Sequence, residues 1–151
     1  MDPLQRFGEY AAAFEQAFES DDWSQVEPHF AVDAVYEILD GGPVGGRYEG
    51  RDAILAYFKN VLDAFDRRFD TRSLELLAGP ELRDGEVWMH WRASYSLAGA
   101  PDLVVEGYET VRTDGDLIVR LEDRYPEGGG EAMAAYMSQH GDELPPIAGS
   151  V

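Results

Sequence analysis

The spacing of apolar residues in this chain changes once, at Phe69. Before it, Leu4, Phe7, Ala11, Phe14 and Phe18 recur in alternating steps of three and four, as do Ile54, Phe58, Val61 and Phe65. That is the period of a helix with one buried face. After it the period is two. Leu74 and Leu76 mark one strand, and Val87 to Leu97 form a longer one. In the longer strand Val87, Met89, Trp91, Ala93, Tyr95 and Leu97 share a face, with Trp88, His90, Arg92, Ser94 and Ser96 on the other. Leu103 to Arg112 and Leu117 to Tyr125 continue the pattern, with turn signals at Asp84-Gly85 and Asp114-Gly115. Helices followed by a meander of antiparallel strands predict an α+β fold, with the helices on one face of a sheet.

Punctuation supports the same division. Asp2 and Pro3 open the first helix as cap and first residue. Ser20, Asp21 and Asp22 end it and cap a short second helix carrying Trp23 and Val26 inward, which Pro28 stops. Ala34 to Leu39 is β-prone, and a further helix spans Ala132 to His140, with Met133, Tyr136 and Met137 at helical spacing. The tail "LPPIAGSV" is predicted to be extended. With 151 residues and no internal repeat, one domain over residues 1–128 is expected, with 129–151 as a helix and tail packed on it.

The charge balance narrows the partners. Thirty acidic residues against 12 basic ones give a net charge of -18, which repels phosphate backbones and anionic membrane surfaces. Neither nucleic acid nor a membrane is an expected partner, and no apolar run approaches the ~20 residues of a spanning helix. The start, "MDPLQRFGEY", lacks a basic segment followed by an apolar one, so the expected location is cytoplasmic. The absence of cysteine excludes disulfides, thiolate metal sites and a cysteine nucleophile. His29, His90 and His140 lack metal-ligand spacing, so neither a metal nor a cofactor is expected.

One stretch imitates a phosphate site. In "AVYEILDGGPVGGRYEGRDAI" the glycines from Gly45 to Gly50 approach P-loop spacing. Arg51 and Asp52, however, stand where the lysine and the Ser or Thr belong, and Asp52 would repel a phosphate. The stretch is read instead as a flexible passage from strand to helix.

The order "FESDDW", "HFAVDAVYEI", "YEGRDAILAYF", "GEVWMHWRASYSL" and "TDGDLIVRLEDRY" resembles the nuclear transport factor two-like superfamily over residues 7–126. Its SnoaL-like branch includes polyketide cyclases, ketosteroid isomerase and limonene epoxide hydrolase. The resemblance implies a cone, with N-terminal helices packed in the concave face of a curved, mainly antiparallel sheet. It also implies an apolar pocket opening near the glycine loop and a homodimer through the convex face. In the resembling enzymes the side corresponding to Arg120, Glu122 and Arg124 faces the pocket, although composition alone would turn Leu117, Val119 and Leu121 inward.

Carried over residue by residue, the oxyanion-hole tyrosine of ketosteroid isomerase falls on Phe14. Its base falls on Ile38, with Asp40 two residues later, and its protonated aspartate falls near Tyr108. The water-activating tyrosine of the epoxide hydrolase matches Tyr36 and one catalytic aspartate matches Glu122, while its arginine and second aspartate fall on Trp91 and Ala93. Neither catalytic set is intact. The expected catalytic residues are Glu122 or Asp40 as base, with Arg120 and Tyr108 or Tyr36 stabilising an enolate oxygen. Phe14, Phe58, Met89, Trp91, Tyr95 and Glu106 are expected to line the pocket. The function implied is cofactor-free acid/base chemistry on a small hydrophobic or aromatic carbonyl compound, of isomerase, cyclase or dehydratase type. The alternative is a non-catalytic module binding a hydrophobic ligand or a protein.

Overall fold

A computed structural model describes residues 2–146. Helix α1 runs Pro3–Ser20, with the Asp2 carboxylate accepting the Gln5 amide at 3.0 Å. Two short 3-10 turns, Trp23–Gln25 and Glu27–His29, replace the expected second helix. Strand β1 (Phe30–Leu39) is followed by a short β2 (Gly46–Glu49) and by helix α2 (Arg51–Ala64). Then come β3 (Thr71–Arg83), β4 (Glu86–Ser96), β5 (Leu103–Asp114), β6 (Leu117–Arg124) and helix α3 (Gly129–His140). The expectation of an extended tail falls outside the described residues from 147 onward. No helix among the described residues is long and apolar enough to cross a membrane.

The six strands form one curved, open sheet in the order β2-β1-β6-β5-β4-β3. Every pairing is antiparallel except that of β1 with β6. The expected α+β cone is therefore the fold, with helices in the concave face. Phe7, Tyr10 and Ala17 of α1 and Ile54, Phe58 and Leu62 of α2 pack against Phe30, Ala34, Tyr36, Val87, Val111 and Leu121 of the sheet. A second cluster, including Phe65, Phe69, Tyr95, Leu103 and Met133, closes the far end under α3. Period-two alternation specifies this arrangement, because a slip of one residue would turn each strand's apolar set outward.

The glycine stretch is structural. The chain turns at Asp40, whose φ of 58° is left-handed, and contains the short β2, which the glycine pattern had hidden. Gly42 then packs backbone to backbone on the start of α3. A Cβ on Gly130 would lie 2.6 Å from the Gly42 nitrogen and 2.7 Å from the Asp40 carbonyl oxygen. Gly130→Ala is expected to cost about 1–3 kcal/mol in denaturant titrations, as overpacking does. An unchanged midpoint would show that this contact does not hold α3 in place.

Candidate active site

A cavity of about 350 Å³ lies between the helices and the concave face of the sheet. Its wall is aromatic: Tyr10 and Phe14 from α1, Tyr57 and Phe58 from α2, and Tyr36, Trp91, Tyr95 and Tyr125 from the sheet side. Leu74 and Leu76 of the edge strand β3 line it while remaining 49% and 53% exposed, and Glu15 of α1 beside them is exposed too. The mouth therefore opens between α1 and β3. The glycine-loop side, where an opening was expected, is walled by Val44, whose carbonyl accepts the Tyr57 hydroxyl at 2.6 Å.

At the inner end two carboxylic acids face each other. Glu109 on β5 lies directly opposite Asp123 on β6, and both line the cavity. Tyr36 reaches across from β1 and donates its hydroxyl to Asp123 Oδ2 at 2.5 Å. Asp123 is buried, and its Oδ1 has no fixed N–H or O–H donor. Trp91 completes the group from β4. Its indole lies over Gly107, where a Cβ would come within 2.4 Å of the ring, so only glycine leaves it this room.

Burial makes the second negative charge costly, and like charges directly opposite on neighbouring strands repel. Loss of solvation, and then the Asp123 charge, push the Glu109 carboxyl well above its usual range. Desolvation raises Asp123 as well, but Glu109, Tyr36 and Trp91 stabilise its ionised form. Both carboxyls are pushed upward, Glu109 further than Asp123, so a proton shared by the pair is favoured on Glu109. Burial, followed by the Asp123 charge, drives the Tyr36 phenol far upward, so Tyr36 acts as a donor only.

A second polar cluster stands nearer the mouth. Arg72 on β3 binds the buried Asp66 at 2.9 Å and Glu15 at 3.2 Å, while the Tyr95 hydroxyl donates to Asp66 at 3.3 Å. Desolvation raises the Asp66 carboxyl, and Arg72 pulls it partly back.

Of the eleven expected site residues, the cavity gathers Tyr36, Phe14, Phe58, Met89, Trp91 and Tyr95. It does not gather Glu122, Arg120, Tyr108, Glu106 or Asp40. The first four lie on the outer face of the sheet. Arg120 bonds Glu37 at 3.3 Å and approaches Glu122 at 3.8 Å, which also meets Arg124 at 3.4 Å. Glu106 pairs with Arg92 at 3.0 Å, and Tyr108 stacks on His90 with ring centroids 4.4 Å apart. Asp40 is an exposed turn residue.

In β6 the phase turns on a β-bulge. Between β5 and β6, Arg112 pairs with Arg120 but Thr113 pairs with Ile118, so Val119 is an extra residue. Ile118 and Leu121 both point inward across it, and the inward phase passes to Leu121 and Asp123. Glu109 had a plainer signal. Leu103, Val105, Gly107 and Val111 make its face of β5 otherwise apolar, and a lone acid there marks a site.

Comparison with known proteins agrees with this fold. A model of the SnoaL-like domain matches residues 11–121. The chain belongs to the SnoaL-like family. An NTF2-like protein from Burkholderia thailandensis shares its fold at 20% identity and a TM-score of 0.65, over 88% of this chain and 98% of that one. A putative polyketide cyclase from Xanthomonas campestris matches at 18% identity and a TM-score of 0.56, over 89% and 96%. A ketosteroid isomerase-like protein from Catenulispora acidiphila, solved with trimethylamine, matches at 18% and 0.60, over 89% and 95%. These identities establish the fold alone. No curated protein matches the chain in sequence.

The SnoaL-like cavity should carry a stability cost. Unfolded, Glu109 ionises in the ordinary carboxylate range; folded, it holds its proton to higher pH. Its contribution to stability is therefore greatest below that ordinary range and declines as pH rises towards the folded value. Glu109→Gln removes the dependence. Thermal denaturation should show the variant level with the native chain at about pH 4 and more stable than it at about pH 7. A difference independent of pH would refute the assignment of the proton.

Proposed function

We propose that this SnoaL-like protein is a cofactor-free enzyme that moves a proton on a small hydrophobic or aromatic carbonyl compound, with Asp123 as general base and Glu109 as general acid. The observation that carries this reading is the opposition of Glu109 and Asp123 inside an aromatic cavity, with Tyr36 fixing one of them. The apolar wall suits a small organic substrate held by a few convergent polar groups. Asp123 takes a proton from the carbon beside the carbonyl while Glu109 gives its proton to the carbonyl oxygen. One C–H bond breaks and one O–H bond forms, giving a neutral enol. No enolate charge accumulates, which matters in a cavity whose single cation among the described lining residues, Arg72, is already paired. Return of a proton to a different carbon completes an isomerisation, and attack of the enol on a second carbonyl completes a cyclisation.

Tyr36 holds Asp123 by its Oδ2 and leaves Oδ1 towards the reacting proton. Positioned acid and base groups of this kind contribute about 10²–10⁴-fold each. The outer face, with Val104 and the Tyr108–His90 stack exposed or half-exposed, remains the surface proposed for a homodimer.

Exchange of α-protons for deuterium, followed by NMR over a panel of cyclic and aryl ketones, tests the reading without a known substrate. Asp123→Asn should slow exchange by about 10²–10⁴-fold, whereas Glu122→Gln should leave it unchanged. The rate should follow a bell in pH, with both limbs displaced above the usual carboxylate range by burial, and Glu109→Gln should remove the alkaline limb. Exchange lost in Glu122→Gln and retained in Asp123→Asn would overturn it, and absence of exchange on every ketone would favour a binding module.

A further inference from the structure

We infer that the molecule this cavity selects carries a positive charge: an organic amine, protonated at neutral pH, whose apolar part fills the aromatic chamber. The inference rests on reading the cavity as the substrate site and adds the substrate's charge, which the acid/base assignment leaves open. Three observations carry it.

The first is the balance of charge. Glu15, Asp66, Glu109 and Asp123 line the chamber against a single cation among the described lining residues, Arg72, already spent on two of them at 2.9 and 3.2 Å. Glu75, the remaining acid of the lining, pairs at 3.0 Å with Arg92, which lies in register with Glu106 on the outer face. Even with one proton shared between Glu109 and Asp123 the chamber is net negative, so an anionic ligand would enter against repulsion with no free cation to receive it.

The second is an unanswered acceptor. Asp123 lines the chamber and is 92% buried by its 8% exposure; its Oδ1 has no direct hydrogen-bond partner, while Tyr36 occupies Oδ2. Only a mobile proton or a ligand N–H or O–H can serve it, and an ammonium serves it with a charge as well.

The third is the wall. Tyr36 and Tyr57 meet edge to face at 5.6 Å, and Trp91 and Tyr125 meet at 5.5 Å and 89°, so ring faces are presented at differing angles around the inner end. Ring faces attract cations, most strongly where water is excluded. A carboxylate at the end of an aromatic chamber is a receptor for a protonated amine. Within the proposed reaction the ammonium, a few bonds from the carbonyl, is held at the inner end by the charge of the acid pair, and Oδ1 is the oxygen that takes the carbon-bound proton.

Isothermal titration with three probes of one shape tests this on the native chain: cyclohexylammonium, cyclohexanol and cyclohexanecarboxylate. The cation should bind at least tenfold tighter than the alcohol, and the carboxylate should bind more weakly than either. In Asp123→Asn the preference for the cation over the alcohol should fall to threefold or less, with a native circular dichroism spectrum reporting that the variant is folded. Equal binding of cation and alcohol, tighter binding of the carboxylate, or a preference unchanged in Asp123→Asn would overturn the inference. The two readings fail separately. Amine preference without α-proton exchange on any ketone sustains the ligand class and removes the reaction, while exchange on neutral ketones without amine preference does the reverse.

Discussion

Two helices do not fill the concave face of a six-stranded sheet curved into a cone, and the rest of the molecule follows from that shortfall. Phe7 and Ala17 of α1, with Ile54 and Leu62 of α2, pack tightly enough to be buried. The aromatic residues beyond them, Tyr10, Phe14 and Phe58, meet one another edge to face around a space that remains open. Packing at organic-crystal density is the rule in protein interiors. A chamber of about 350 Å³ is thus a built feature of this fold, and its apolar wall gives each polar group on it unusual weight.

That weight falls on Glu109 and Asp123. On an exposed sheet, two acids opposite each other would be a minor repulsion, screened by water and salt. Here burial pushes both carboxyls upward, and the charge of Asp123 pushes Glu109 further. Tyr36 adds to the asymmetry: its hydroxyl donates to Asp123 and so favours the carboxylate on that side. Placement alone thus separates two residue types whose carboxyls ordinarily behave alike.

Much of the fold was legible and half of the site was not, for one physical reason. Periodicity reports which residues share a face, and it located α1, α2, the long β4 and the inward set Met89, Trp91 and Tyr95. It reports nothing about a residue inserted without a partner. Counting back from the hairpin turn sets Glu109 opposite Glu122; the extra Val119 sets it opposite Asp123. Resemblance placed the functional acids near Tyr108 and at Glu122, in each case one residue short of the inward position. The apolar run Leu103, Val105, Gly107 and Val111 gave the correct phase for β5, and composition gave the correct phase for Leu121. Asp40 misled differently, since a left-handed turn residue before two glycines resembles a site only when its backbone angle is unknown.

Glu122 and Asp123 show what the phase decides. They are adjacent in sequence and carry the same functional group, but successive side chains of a strand point to opposite faces. Glu122 sits among Glu37, Arg120 and Arg124 in a partly exposed ladder of ion pairs, where each charge has a counterion and water beyond it. Such pairs contribute about 0–1 kcal/mol and perturb little. Asp123 has a phenol on one oxygen, nothing fixed on the other and a second acid across the strand. Exchanging their environments would require only that Val119 pair with Arg112 in a regular ladder, which would turn Glu122 inward beside Glu109 and leave Asp123 among the arginines. The bulge, more than the identity of either acid, therefore determines which carboxyl meets the cavity.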